Sequence, residues 1–160
     1  MHWVDLLAIG IIILLGFIES RRGFGLALFD IIGAVIIVKI VIALTPSVAE
    51  TMSMGMAEQE AEGVWLLILF VVFAALVVLI SHTIHKTTLL SLDVMDPIIG
   101  AILGLASGIV LAHVVLRSMV LIYENTALGD ALMETVAVQQ LVEFRGYLLV
   151  LDALTHLGEV

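Results

Sequence analysis

The chain has no cysteine, only two prolines, and six lysines and arginines against fifteen aspartates and glutamates. The missing cysteines exclude disulfides, zinc thiolates and a cysteine nucleophile, although they do not fix the compartment. A net charge of −9 argues against nucleic acid as a partner, because phosphate binding needs a basic face. Charge of either sign is scarce: 13% of the 160 residues carry it, about half of what a water-facing surface uses. Catalytic signatures are missing too. There is no nucleophile elbow, phosphate loop or paired histidine–glutamate zinc motif, so the sequence points to no enzyme, no cofactor and no catalytic residue.

What is abundant is apolar. Hydrophobic residues make up 62% of the chain and mean hydropathy is +1.27. A soluble domain is about half apolar, so this surplus calls for lipid as solvent. Four runs carry it, at about residues 3–18, 24–44, 64–80 and 97–122. Each approaches or exceeds the roughly 17–25 residues that cross hydrocarbon as a helix. The runs are continuous, whereas a membrane barrel alternates. The expected fold is all-α: a four-span transmembrane helix bundle over residues 1–122, with an amphipathic helical tail over 123–160. Met1-His2-Trp3-Val4-Asp5 lacks the basic start of a cleavable signal peptide, so the first span is expected to stay in the mature protein.

The linkers set an expected orientation. Glu19 to Gly23 is a tight basic turn with Arg21 and Arg22, and the stretch from Ser81 to Asp96 holds His82, His85 and Lys86. Between them, residues 45–63 carry Glu50, Glu58, Glu60 and Glu62 and no basic residue. Basic loops stay cytoplasmic, so Arg21, Arg22 and Lys86 place the 1–2 and 3–4 turns inside and both termini outside. In the tail, Leu128, Leu132, Val136, Leu141 and Val142 follow a rough helical stripe. This predicts one or two amphipathic helices, broken near Gly146, lying on the outer face or packed on the bundle end.

Span four carries a packing signal. Asp96-Pro97 suits a helix start, with a carboxylate to cap free N–H groups and proline in the first turn. Asp93 and Asp96 also form a possible carboxylate pair, but capping explains them more simply. Gly100, Gly104, Gly108 and Ala112 recur every four residues, a face on which another helix can approach closely. That helix could belong to the same chain or to another copy. Gly33-Ala34 offers a second such surface. His82 and His85 are spaced to share a helical face, but no further ligands accompany them, so no metal site is expected.

Asp5, Asp30, Lys39, His113 and Arg117 are ionisable groups inside spans, where an unpaired charge is costly. The expected topology gives Asp5, Lys39 and Arg117 similar depth in the outer leaflet. His113 follows one turn deeper on the face of Arg117, and Asp30 lies alone toward the cytoplasmic side. The structural expectation is that Asp5 pairs with Lys39 or Arg117, with His113 hydrogen-bonded one turn below, while the cations snorkel. The functional alternative is a polar cavity or ion path lined by these groups.

Trp3-Val4-Asp5 before the first span, Arg21-Arg22-Gly23-Phe24 in the first turn, and Asp96-Pro97-Ile98-Ile99-Gly100-Ala101-Ile102-Leu103-Gly104 followed by Gly108 resemble the colicin V production protein (CvpA) family. The similarity runs in order and spacing over roughly residues 1–122. It departs at Gly25-Leu26-Ala27, where the family commonly has a charged residue, and the tail matches no family pattern. The resemblance implies a multi-pass bacterial inner-membrane protein with a role in bacteriocin production or export, or in envelope maintenance. Expected partners are the lipid bilayer and either further copies of the chain or another envelope protein. A small ion or solute transporter or channel is the alternative.

Overall fold

The computed structural model describes residues 2–53, 55–88 and 95–143, with side chains 84–88 left aside. It is an all-α, four-span bundle of the kind a membrane protein has. Helices α1 (Trp3–Arg22), α2 (Phe24–Thr51), α3 (Glu58–Thr88) and α4 (Asp96–Tyr123) are each long and apolar enough to cross a bilayer. Two short helices follow, α5 (Ala127–Met133) and α6 (Val136–Leu141). Exposed Leu6, Ile13, Phe17, Ile36, Val72 and Ile102 form the outward apolar surface that lipid would cover.

Successive spans run antiparallel. α1 packs chiefly on α4, and α2 on α3, while α1 and α2 touch little beyond their connecting turn. In lipid, close backbone packing and buried polar contacts must hold helices together, because the solvent is as apolar as the side chains. Span four supplies that packing inside the chain. A Cβ on Gly100 would lie 2.6 Å from the Glu19 carbonyl oxygen, one on Gly104 2.6 Å from that of Leu15, and one on Gly108 2.6 Å from the Ile12 Cα. Ala112 closes the same face, fully buried with Val4, Ala8 and Leu116. On α2, Gly33 admits Val77 of α3, and Gly63 of α3 lies against the Ser118 carbonyl of α4. A second core joins Ile37, Val41, Leu66, Phe70 and Val114.

Four helix boundaries differ from expectation. α1 runs to Arg22, past the expected end near residue 18, so that only Gly23 is left of the expected turn. α2 passes through Pro46 to Thr51 instead of ending at Thr45-Pro46. Pro46 has no N–H for the Ile42 carbonyl, but proline is tolerated in membrane helices when neighbours adjust. Beside it the Thr45 hydroxyl donates to the Val41 carbonyl at 2.7 Å. α3 begins at Glu58, not at residue 64, so Glu58 and Glu60 form its first turn, where carboxylates favour the positive helix end. The acidic loop shrinks accordingly. α3 also runs on to Thr88. At 1.5 Å per residue it is about 46 Å long, longer than the roughly 30 Å of hydrocarbon, so polar residues can continue a helix whose apolar run has ended.

The tail departs from its expected stripe. Thr126 caps α5 by accepting the Gly129 N–H, and Thr135 caps α6 by accepting that of Val138. The break between these helices destroys a continuous 3.6-residue register. Leu132 and Val138 are buried against α1 and α4, but Val136 is 64% exposed. Residues 127–142 thus pack on the bundle end. The break expected near Gly146 lies outside the described residues.

Candidate functional site

The 1–2 turn builds a charged cluster inside the bundle. Gly23 takes φ +86°, a left-handed conformation open to glycine at little cost, and its N–H donates to the Glu19 carbonyl at 2.9 Å. The chain therefore reverses within one residue, and the last turn of α1 faces the second turn of α2. Arg22 then reaches both sides: its Nη1 lies 2.5 Å from Glu19 Oε1 and 2.6 Å from Asp30 Oδ2. Glu19 is 3% exposed and Asp30 9%. The glycine ridge presses on the same turn, since a Cβ on Gly104 would lie 2.7 Å from the Glu19 Cβ.

Above the cluster is a cavity of about 200 Å³ at which all four spans meet. Its polar lining is Glu19, Arg22, Asp30 and Ser107; the rest is apolar, including Leu15, Ile37, Phe70 and Leu111. Arg22 takes one oxygen of each carboxylate. Glu19 Oε2, Asp30 Oδ1 and Ser107 Oγ are buried and have no hydrogen-bond partner among the described residues. Two carboxylates against one guanidinium leave one formal negative charge, held where the local dielectric is low and an uncompensated charge is expensive.

The intramembrane polar residues are thus distributed differently from expectation. Asp30 is not alone; Arg22, expected to be a solvated topology determinant, is its partner. Asp5 pairs with neither Lys39 nor Arg117. It is buried, with Oδ1 accepting the Ala137 N–H and Oδ2 the His2 N–H, both at 2.9 Å. The docked tail brings the free amides of the α6 N-terminus onto the start of α1, and a carboxylate is satisfied by such donors without a cation. His113 likewise serves the tail, its Nδ1 2.6 Å from the Leu141 carbonyl. Because a carbonyl only accepts, that nitrogen carries the proton. Lys39 is exposed and Arg117 half-buried, and neither forms an ion pair with a described residue.

Other expected residues take local roles. Arg21 lies 4.5 Å above the Phe17 ring, a cation–π contact. Asp96 does not cap its own helix, whose N-cap position is Met95; its Oδ1 accepts the Phe24 N–H of α2 at 3.2 Å, so the carboxylate serves a neighbouring helix start. His82 is exposed, and no cluster of three or more His, Cys, Asp or Glu placed to hold a metal occurs among the described residues. Asp93 and the side chains of His85 and Lys86 lie outside them. An open groove of about 760 Å³ lies at the opposite end of the bundle, lined by His2, Asp5, Ile12, Glu134, Thr135 and Gln140.

Sequence reasoning missed Glu19 and Ser107. Glu19 reads as the polar end of span one, yet it stands three residues before Arg22. Ser107 stands three residues after Gly104, on the face the glycines mark. No family model matches the chain, and no match was found among curated proteins or solved structures.

Proposed function

We propose that the protein is a non-enzymatic membrane protein that moves a small ion or solute, with the Glu19–Arg22–Asp30 cluster and its cavity as the working centre. One observation carries this: Glu19 and Asp30, each with a buried carboxylate oxygen that has no partner among the described residues, line a cavity at which all four spans meet. Ionisable groups inside membrane spans are expensive and mark ion or proton pathways. Action chiefly through assembly has less support, because the glycine ridge and the tail both find their partners within the chain. Reconstituted into liposomes, the wild type should pass cations faster than protein-free vesicles, and Asp30→Asn should lower that flux at least tenfold. Flux equal to that of empty vesicles for a panel of small cations would sink the reading.

A second reading, a CvpA-like role in bacteriocin production or envelope maintenance at the bacterial inner membrane, has its own support. Two of the three segments that carry the resemblance meet in space: Phe24 donates to Asp96, and Gly100 lies against Gly23. Deleting the gene should then reduce bacteriocin release or sensitise the envelope to detergent, and an unchanged strain would count against it. The proposed orientation has both termini outside. The chain has no native cysteine, so labelling of Ser20→Cys from outside intact cells would reverse it.

A further inference from the structure

The hydroxyls inside the helices show which polar group is out of pattern. Thr45, Thr51, Thr83 and Ser118 each donate back to the carbonyl four residues earlier, at 2.7–2.9 Å. This is the usual way a helix satisfies a serine or threonine away from water. Ser107 does not do so. It is 8% exposed, its Oγ has no partner among the described residues, and it lines the cavity along with Glu19 and Asp30. Ser107 stands inside the same kind of helix without that bond. A buried hydroxyl without a partner costs about 1–3 kcal/mol, and Glu19 and Asp30, each with a buried oxygen in the same state, line the same cavity.

We infer that Glu19 Oε2, Asp30 Oδ1 and Ser107 Oγ form a binding site for a small monovalent cation of sodium's kind. The inference rests on the reading of this cluster as the working centre and names its ligand. The donor set is all oxygen, which hard cations prefer. The charge is right for one positive unit: Arg22 neutralises one of the two carboxylates and occupies only one oxygen of each. A divalent ion would meet too little charge and too few protein ligands, since calcium takes six to eight oxygens. A proton shared between the carboxylates would join two of the three oxygens and leave Ser107 out. A cavity of about 200 Å³ leaves room for water to complete the coordination shell.

The test is thermal unfolding of the full chain in mild detergent, at fixed pH and ionic strength, with sodium chloride replacing choline chloride. A ligand that binds only the folded state raises Tm with concentration. The wild type should show a saturable rise in sodium. Ser107→Ala, a small change that keeps Glu19, Arg22 and Asp30 intact, should be at least as stable as the wild type in choline, since it removes an unpartnered hydroxyl, and should need at least threefold more sodium for the same rise. Asp30→Asn should abolish the response. Equal Tm in sodium and choline overturns the site, and so does a sodium response that Ser107→Ala leaves unmoved. A Tm that follows pH and ignores sodium overturns it in favour of a shared proton. Sodium binding without flux in liposomes keeps the site and removes the carrier reading; flux without sodium binding does the reverse.

Discussion

At one end of α1, Asp5 is buried with both carboxylate oxygens accepting backbone N–H groups. At the other end Glu19 is buried with one oxygen on Arg22 and the other without a partner among the described residues. Both groups cost solvation energy on leaving water, but the means of recovering it differ. Backbone amides fixed by a helix start recover it with geometry alone, and what results is a joint: the tail is pinned to α1 and α4. A single guanidinium shared by two carboxylates recovers it in part and leaves a formal charge on residues that line a cavity. Burial of a carboxylate therefore does not identify a working site. On the proposed function, the state of its second oxygen separates the two ends.

The sharpest way to break this comparison is to remove the cation. Arg22→Leu leaves Glu19 and Asp30 buried without compensation, and breaking a buried ion pair costs about 3–5 kcal/mol. The loss of stability, read by denaturant unfolding in detergent, should exceed that of Gly104→Leu, Asp5→Ala or Lys39→Gln. Adding Glu19→Gln should recover part of it, so that the double variant is more stable than the summed losses predict. A loss below about 1 kcal/mol, in the range of an exposed pair, would mean the carboxylates are wet through the cavity.

The next effect tests whether the glycine ridge holds the charged end in place. Gly104→Leu sets a side chain against the Leu15 carbonyl and the Glu19 Cβ. These are backbone and near-backbone atoms that yield only if α1 and α4 separate. Overpacking costs about 1–3 kcal/mol, and we expect the upper end, with Leu103→Ala well below it. Equal yield and equal unfolding midpoints for the two variants would mean that the ridge does not hold α1 on α4. At the Asp5 end, Asp5→Ala leaves the Ala137 and His2 N–H groups without their acceptor. That loss of a cap is expected to cost about 1–2 kcal/mol. Amide exchange should quicken in α6 and stay slow where α1 meets α4; faster exchange throughout both long helices would make Asp5 a bundle residue instead of a tail joint.

Different features of the chain were legible to different degrees. The four spans follow from unbroken apolar runs, and the glycine face follows from its four-residue period. Helix ends were not legible where Glu58–Glu62 continue a helix past its apolar part, because hydropathy reports the solvent and not the backbone. The partner of Asp30 was hidden for another reason. Arg22 sits in a basic turn, and its sequence context reads as a topology signal. Only the one-residue reversal at Gly23 turns it inward. The pairing of Asp5 with Lys39 or Arg117 rested on equal depth, but depth fixes one coordinate and leaves the angle around the bundle free.

Lys39 gives the smallest expected effect. It is exposed on α2 and forms no ion pair with a described residue. On the proposed orientation it is six residues before Thr45, about 9 Å along the axis, within reach of the outer interface for a long, flexible side chain that snorkels. A charge that already reaches water contributes little to the fold, so Lys39→Gln should change stability by less than about 0.5 kcal/mol, as surface substitutions do. Cation flux should stay within twofold of wild type, because Lys39 does not line the cavity. The alternative is that this face of α2 meets a second copy, whose carboxylate would then hold the lysine. Lys39→Gln would in that case lower the particle mass in mild detergent. A mass change, or a stability loss above about 1 kcal/mol, would show that the outer face of α2 is an interface, and the single-chain bundle would then be one part of a larger assembly.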